Sequence, residues 1–265
     1  MIIDGKMFAE QILMRVQTRV KTLGHAPRLG IITCAPNFET QKYLALKQKK
    51  ATAVGIETRL IELPADTNTD EVLSILHELT KQTDAIVVQL PLPSVIDAEQ
   101  VIAAIPTSHD TDALNPDTTT VLSPVVGAIR EILALHAINP KEKEVTVLGR
   151  GRLVGSPAQR WFEKAGAHVS LVTKDTADMT YYTRYADIIV SGAGVPGLLK
   201  PEMVKEGVII LDAGTSEEGG VLRGDADPRC AEKASLFTPV PGGIGPMTIA
   251  VLLSNVVDCA EKNNI

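Results

Sequence analysis

Hydrophobic and polar residues alternate along the chain in two different periods, and their order predicts the class of fold. Apolar residues recur at helical spacing from Phe8 to Val20, which predicts an opening amphipathic helix. Short β-rich runs and helical runs then follow one another, a pattern typical of βαβ units around a mostly parallel sheet. The predicted strands lie at 29–34, 57–63 and 85–90, and the predicted helices between them lie at 40–54 and 69–81.

The pattern changes over residues 91–124, which are dense in Pro, Asp, Thr and Ser and have room for one short helix. We expect functional loops here that run into a domain boundary, so that residues 1–120 and 121–245 form two α/β domains. Beyond the boundary the alternation resumes, and it ends in an apolar helix introduced by the rigid segment PVPGGIGP. The later helices are predicted at about 126–135 and 246–262, and the later strands near 144–148, 168–172, 187–191 and 208–212.

Composition restricts the possible partners. The chain has 265 residues, of which 45% are hydrophobic and 22% charged, as in globular proteins. Its net charge of -6 argues against nucleic-acid binding, which needs a basic surface. We recognise no signal peptide and no apolar stretch of the ~20 residues that a membrane helix needs. The three cysteines lack metal-ligand or disulfide spacing, so we expect no metal and a reducing cytoplasm.

A glycine-rich turn marks a candidate nucleotide site. The strand VTVLG runs into GRGRLVGSP (149–157), a strand, tight turn and helix start of the kind that lets backbone N–H groups approach a pyrophosphate. Its GxGxxxG spacing is one residue longer than the usual dinucleotide fingerprint, and a plain βα connection can have the same form. Its position at the head of a βαβ unit favours the dinucleotide site.

The next strand bears on which nicotinamide cofactor binds. In an NAD enzyme this strand ends at a carboxylate that binds the ribose, whereas here it ends Thr173-Lys174-Asp175. Lys174, with Arg150 or Arg152 in the glycine turn, can pair with a 2′-phosphate, which favours NADP. Asp175 keeps NAD open as the alternative.

The first half of the chain carries a second candidate site. Tyr43 and Lys47 lie four residues apart on one helix and so share a face, although such pairs are common on helix surfaces. Gln89 lies at the end of a hydrophobic strand, where α/β folds place functional side chains. Asp110 and Asp112 follow in a loop, and for Asp110 hydrogen bonding within the turn is the simpler role.

Taken in order, several motifs resemble those of the bifunctional methylenetetrahydrofolate dehydrogenase/cyclohydrolase family. The resemblance spans nearly the whole chain, and two of the strings, VQLPLP and PVPGGIGPMT, are highly specific in combination. YxxxK alone is not, because short-chain dehydrogenases also use it, although after their nucleotide site. The motifs are DGK (4–6), YLALK (43–47), VQLPLP (88–93), DTD (110–112), GRG (149–151), VGSP (154–157) and PVPGGIGPMT (239–248).

The resemblance implies a folate domain, a Rossmann-like NADP domain with a cleft between the two, and a last helix that returns to the first domain. The implied reaction is oxidation of 5,10-methylenetetrahydrofolate and hydrolysis of the methenyl product to 10-formyltetrahydrofolate, by a homodimer. Lys47 is implied as the catalytic amine and Gln89 as its hydrogen-bonding partner, while Tyr43 packs on the substrate and Asp112 fixes the pterin. The wider implied set is Val88, Leu90, Pro241, Gly242 and Gly243 for the folate, and Gly149, Arg150, Gly151, Val154, Gly155, Ser156, Pro157, Thr173, Lys174, Gly192, Ala193, Gly214, Thr215, Gly245 and Thr248 for the cofactor.

Three loops depart from the family's pattern. APNFET (35–40) stands in place of GDxPAS, DALNP (112–116) in place of DGFHP, and LSPVVG (122–127) in place of PCTPxG. These changes leave the balance between the two activities open. The alternatives are a dehydrogenase-only member, another two-domain NADP dehydrogenase similar to shikimate dehydrogenase, and a folate- or nucleotide-binding protein without catalysis.

Overall fold

The computed structural model describes residues 1–219 and 221–263, which divide into two units. One unit comprises Glu10–Pro124 and the chain from Ile249 onward, and the other comprises Met1–Ala9 and Val125–Thr248. We refer to them as the 10–124 unit and the 125–248 unit. Each contains its own parallel sheet, so the predicted two-domain α/β fold is confirmed.

In the 10–124 unit, three parallel strands carry the core. β1 (Arg28–Cys34) lies between β2 (Glu57–Leu63) and β3 (Ala85–Val88), and every residue of β1 after Arg28 is buried. Strands covered on both faces are continuous apolar runs, as RLGIITC and AIVV are. The strand order β2-β1-β3 puts a topological switch point between β1 and β3. The helices of residues 1–124 are α1 (Gly5–Thr22), α2 (Phe38–Ala53), α3 (Thr69–Thr80) and α4 (Ala98–Ala103).

In the 125–248 unit, five parallel strands form the sheet. In spatial order they are β5 (His168–Val172), β4 (Glu144–Leu148), β6 (Ile188–Ser191), β7 (Ile209–Asp212) and β10 (Leu236–Phe237). The switch point lies between β4 and β6, and in such sheets ligands bind outside the carboxyl ends of the strands at this point. The remaining elements are the helices α5 (Pro124–Leu135), α6 (Gly155–Lys164) and α7 (Met179–Tyr185), two short 3-10 helices (Pro201–Met203 and Pro228–Glu232), and an antiparallel hairpin of β8 (Ser216–Glu218) and β9 (Val221–Arg223).

The main differences between the observed and the predicted elements are the early end of β3 and several short elements that were not predicted, helix α7 among them. β3 ends at Val88 and not at residue 90: the Gln89 N–H still bonds the Ile32 carbonyl (2.8 Å), but Pro91 has no N–H with which to continue the ladder. The hairpin β8–β9 and strand β10 were not predicted, because strands of two or three residues are too short to show a period.

The last helix, α8 (Ile244–Asn263), packs on the 10–124 unit, as the resemblance implies. From α1, Arg19 Nη2 lies 2.6 Å from an Asp258 carboxylate oxygen and 2.7 Å from one of Glu261. The Asn255 side-chain amide donates to the Thr111 carbonyl, 2.8 Å away. Contrary to the sequence expectation, α8 is long and apolar enough to cross a membrane, but 67% of its apolar window is buried within the protein, as in a core helix.

Candidate active site

Four predicted side chains come together in the 10–124 unit around the amine of Lys47. The Asn37 side chain caps α2 by accepting from the Thr40 N–H (2.8 Å), and the helix then carries Tyr43 and Lys47 on one face. Lys47 Nζ lies 5.3 Å from the centre of the Tyr43 ring and 3.3 Å from Gln89 Oε1. Lys47 is only 2% exposed, so it is a buried lysine, unlike the lysines of most i, i+4 pairs, which lie on the helix surface.

Gln89 is oriented by its own backbone surroundings. It directly follows β3 at the switch point of the sheet, and its N–H bonds the neighbouring strand β1 at the Ile32 carbonyl. Its side-chain Nε2 donates to the Leu90 carbonyl (2.9 Å), which leaves Oε1 to accept from Lys47. The neighbours predicted to contact folate, Val88 and Leu90, pack into the core beside α3, with Val88 fully buried and Leu90 partly buried.

Burial shifts the pKa of both ionisable groups in this set, the Lys47 amine and the Asp112 carboxyl. It lowers the pKa of the Lys47 amine, and the charge of Asp112 opposes that shift only in part. Burial likewise raises the pKa of Asp112 against the opposing charge of Lys47. An amine whose pKa is lowered gives up its proton more readily and can then accept one from a substrate or water, which is what acid–base catalysis requires.

Asp110 and His109, the polar residues beside Asp112, build the loop. Asp110 is buried, and its carboxylate accepts bonds from the Leu114 N–H (3.2 Å), the Asn115 N–H (2.8 Å) and the Thr118 hydroxyl (2.8 Å). This confirms the prediction that Asp110 organises the turn. The pKa of His109 is lowered by burial, and its Nδ1 lies 2.9 Å from Ser108 Oγ, outside the lysine cluster.

Two of the three altered loops keep an unusual backbone conformation. Ala35 has φ +42° and Ala113 has φ +50°, both in the left-handed region that favours glycine. They occupy the positions at which the family patterns GDxPAS and DGFHP have Gly. Before α2 and after Asp112, the backbone is therefore left-handed at the residue where the family pattern has glycine, although this chain has alanine there.

In the 125–248 unit, the glycine turn has the close approaches that a nucleotide cradle needs. Gly149 has φ +93°, and a Cβ there would lie 2.9 Å from the Gly192 carbonyl oxygen across the switch point. A Cβ on Gly155 would lie 2.0 Å from the Gly149 carbonyl oxygen, whereas one on Gly151 would meet nothing closer than 3.8 Å. Helix α6 begins at Gly155 with no side-chain cap, and Pro157 is buried in its first turn. In this first turn the Ser156 N–H bonds the Gly151 carbonyl (3.1 Å) and Pro157 has no N–H, so this end of α6 offers the Gly155 N–H and the positive end of the helix dipole to an anion such as a pyrophosphate.

The other predicted cofactor residues lie on the loops around this turn. After β5, the Asp175 N–H donates to Thr173 Oγ1 (3.3 Å), and both Lys174 and Asp175 are exposed. After β7, the Gly214 N–H donates to Asp212, a buried carboxylate that the sequence analysis missed although, like Gln89, it is a polar residue at a strand end. Val154 lies against Gly192, Ser156 donates to the Arg150 carbonyl, Thr215 is exposed, and Thr248 donates to the Gly245 carbonyl within α8.

The segment PVPGG also lies in the 125–248 unit, where it packs on the start of α1. The Gly5 N–H donates to the Gly242 carbonyl (2.8 Å), and a Cβ on Gly5 would lie 1.7 Å from the Gly243 carbonyl oxygen. Glycine is therefore required at position 5, and the motif DGK is explained by this contact. Pro241, Gly242 and Gly243 form a turn closed by the Gly243 N–H on the Pro239 carbonyl (2.7 Å).

Among residues 1–219 and 221–263, no group of three or more His, Cys, Asp or Glu residues is arranged to hold a metal ion. The chemistry available to these residues is that of one buried amine, its amide and carboxylate neighbours, and a glycine-rich cradle for a dinucleotide. The amine of the 10–124 unit suits proton transfer, and the cradle of the 125–248 unit suits a nucleotide-dependent reaction.

Comparisons with known proteins agree with both parts of this picture. Residues 3–112 match the family model described as tetrahydrofolate dehydrogenase/cyclohydrolase, catalytic domain, and residues 124–264 match the NAD(P)-binding domain of the same family. The bifunctional protein FolD of Halothermothrix orenii is 37% identical over 100% of this chain and 99% of its own length. The FolD methylenetetrahydrofolate dehydrogenase/cyclohydrolase of Campylobacter jejuni superposes with a TM-score of 0.96 at 33% identity, covering 100% of this chain and 99% of that one. The Trypanosoma brucei enzyme, solved with NADP cofactor and an inhibitor, gives 0.92 at 31% identity and covers 100% and 98%.

Proposed function

Because the chain belongs to the tetrahydrofolate dehydrogenase/cyclohydrolase family, we propose that it oxidises 5,10-methylenetetrahydrofolate with NADP and hydrolyses the methenyl product to 10-formyltetrahydrofolate. The observation that carries the proposal is the buried amine of Lys47, held 3.3 Å from Gln89 Oε1 with its pKa lowered. A binding protein without catalysis would have no need to bury an ionisable amine, because doing so costs stability.

In the dehydrogenase step the protein's task is to position the substrate. NADP, when bound, supplies the chemistry by accepting the hydride of the methylene bridge. Tyr43, which is 39% exposed, packs against the flat part of the folate, and Asp112 holds the pterin by hydrogen bonds. Positioning of this kind can supply much of the rate enhancement without a strong acid or base.

In the cyclohydrolase step the protein must manage a proton next to a positive charge. Lys47 takes one proton of the water that attacks the methenyl carbon and returns it to the nitrogen whose bond to that carbon breaks. The second proton of the water is released to solvent as the formyl C=O forms. Gln89 holds the amine in place. A lysine whose pKa has fallen can do this, whereas an arginine retains its proton.

The cofactor binds the 125–248 unit, with the pyrophosphate on the turn formed by Gly149 and Gly155. Lys174, aided by Arg150, pairs with the 2′-phosphate and thereby favours NADP over NAD. The remaining proposed contacts are those that the resemblance implies: Val88, Leu90, Pro241, Gly242 and Gly243 for the folate, and Gly151, Val154, Ser156, Pro157, Thr173, Gly192, Ala193, Gly214, Thr215, Gly245 and Thr248 for the cofactor.

We also propose that the protein is a homodimer that pairs through the edge of the larger sheet. β5 is an edge strand of that sheet, and the helix that follows it, α7, exposes Tyr181 (62%) and Tyr185 (63%). Edge strands and exposed aromatic side chains are frequent at interfaces. Light scattering on the wild type and on a Tyr181→Ser/Tyr185→Ser variant tests this, and an unchanged mass contradicts it.

We further propose, from the resemblance to the family, the domain limits 1–120 and 121–245, a cytoplasmic location and a role in purine biosynthesis.

One coupled assay tests the main proposal. Purified protein is supplied with methylenetetrahydrofolate and NADP or NAD, and cofactor reduction and methenyl decay are followed separately. We expect both activities, with NADP preferred. If cofactor reduction occurs without hydrolysis of added methenyltetrahydrofolate, the chain is a dehydrogenase-only member, and the absence of both activities refutes the proposal.

A further inference from the structure

The loop that follows β6, residues 192–195, lies directly against the glycine turn. A Cβ on Gly192 would be 2.4 Å from a methyl carbon of Val154, and the Gly192 carbonyl oxygen is the atom that excludes a Cβ from Gly149. The position of this loop therefore determines how much room remains beside the turn. Both segments lie at the switch point between β4 and β6, where a dinucleotide binds in this class of sheet.

A single buried carboxylate holds this loop. Asp225 is 0% exposed. Its Oδ2 accepts from the Ser191 hydroxyl (2.6 Å), the Ala193 N–H (2.7 Å) and the Gly194 N–H (3.3 Å), and its Oδ1 accepts from the Val195 N–H (2.8 Å). Three successive amides thus point at one side chain, and charge-assisted bonds of this kind are stronger than bonds between neutral groups.

A second carboxylate holds the segment on which Asp225 lies. Asp212, at the end of β7, accepts from the Gly214 N–H (2.9 Å) and the Ala226 N–H (2.8 Å). A Cβ on Gly224 would lie 2.3 Å from Asp212 Oδ2, so glycine is needed for the segment to approach. Reciprocally, a Cβ on Gly214 would lie 2.1 Å from the Asp225 carboxyl carbon. The loops after β6 and β7 are therefore tied together through the two carboxylates.

We propose that Asp225 is a positioning residue for the dinucleotide: its carboxylate turns the amides of residues 193–195 away from the glycine turn and so keeps the nucleotide cradle open. An amide's N–H and C=O point in opposite directions, so fixing the three N–H groups also fixes the carbonyls of residues 192–194, of which that of Gly192 lies against the glycine turn and that of Gly194 accepts from the Ser216 hydroxyl (2.9 Å). Without the carboxylate, these amides lose their buried acceptor and the loop rearranges. The inference rests on the proposed use of NADP.

The test compares Asp225→Asn with a matched control two residues away. Asn has nearly the same shape but presents an NH₂ group to donors, whereas Asp227→Asn alters a carboxylate that pairs with Arg229 at the surface. We expect Asp225→Asn to weaken NADP binding at least tenfold by calorimetry, equivalent to about 1.4 kcal/mol. The loss of NADP affinity should exceed any loss of methenyltetrahydrofolate hydrolysis by the same factor, because that step relies on Lys47. Asp227→Asn should change neither.

Ser191→Ala is the milder variant, for the case in which Asp225→Asn does not fold. It removes one donor and leaves the carboxylate, and we expect a two- to fivefold weaker binding of NADP with normal thermal unfolding. The positioning role is overturned if NADP affinity is unchanged in both variants. It is also overturned if NADP affinity and methenyltetrahydrofolate hydrolysis fall by the same factor in Asp225→Asn. A wild-type protein that does not bind NADP refutes the proposed function instead, and the two failures are thereby distinguished.

Discussion

Replacing Lys47 by Met removes the nitrogen and keeps the unbranched stem. Lys47 is 2% exposed, and the substitution removes the 3.3 Å contact with Gln89 Oε1, the amine 5.3 Å from the Tyr43 ring centre and the charge that opposes the raised pKa of Asp112. Met has a similar volume and no charge, so it can occupy the same buried space. The substitution therefore separates the chemistry of the amine from the packing of the side chain.

The effect of this change on stability follows from the direction of the pKa shift. Burial lowers the pKa of Lys47 in the folded state below its ordinary value of 10.5. Between the folded and the unfolded pKa the unfolded chain binds the additional proton, so the free energy of unfolding rises with pH across that window. Each unit of lowering costs the wild type about 1.4 kcal/mol at neutral pH. Lys47→Met removes this titration, so we expect the variant to lack the rise toward pH 10.5 in urea unfolding. Asp112 loses the opposing charge of Lys47 in the variant, so its pKa should rise further.

The effect on activity should be concentrated in one half-reaction. A general base contributes about 100- to 10,000-fold, or about 3 to 5 kcal/mol of transition-state stabilisation. We expect hydrolysis of methenyltetrahydrofolate to fall by this factor in Lys47→Met, while part of the NADP-dependent oxidation remains. Lys49→Met is the matched control, because Lys49 lies on the same helix but is exposed.

The assay follows methenyl absorbance and NADPH formation in separate reactions, with NADP affinity and urea unfolding measured on the same samples. If both activities fall equally while folding and cofactor binding are intact, Lys47 positions the substrate and is not the base. If hydrolysis is unchanged, the lysine has no part in the mechanism.

Three further variants test other parts of the structure. Lys174→Ala should weaken NADP by roughly 1 to 3 kcal/mol and leave NAD unaffected, because it removes a charge-assisted phosphate contact; equal weakening of both cofactors would contradict this. Asp212 has its pKa raised to about 6 from 3.8, mainly by burial. The folded state then holds the extra proton across that window, so stability falls as pH rises through it, by about 3 kcal/mol, and Asp212→Asn should flatten this slope in urea unfolding. Ala35→Gly should raise the free energy of unfolding by roughly 0.5 to 1 kcal/mol, because Gly relieves φ +42°, and destabilisation would show that the Ala methyl group contributes packing.

The sequence by itself determined the elements whose signals are local. The period of the apolar residues predicted the parallel α/β units, and helical spacing placed Tyr43 and Lys47 on one face of α2. The glycine spacing at 149–155 marked the nucleotide turn, because only glycine permits the positive φ and the close approaches found there. Gln89 was found for a similar reason, since a polar residue between an apolar run and a proline indicates the region in which a strand ends, although β3 itself ends at Val88.

Only the tertiary structure decided which of these residues meet and how they are buried. Lys47 and Gln89 are 42 residues apart, and nothing in the pattern of α2 distinguishes a buried lysine from an exposed one. Asp225 reaches a loop about 30 residues earlier in the chain, and no period connects the two segments. The physical reason is that an ionisable group changes its chemistry through burial and through the charges and donors around it. Those surroundings come from segments distant in sequence, which come together only when the sheet forms.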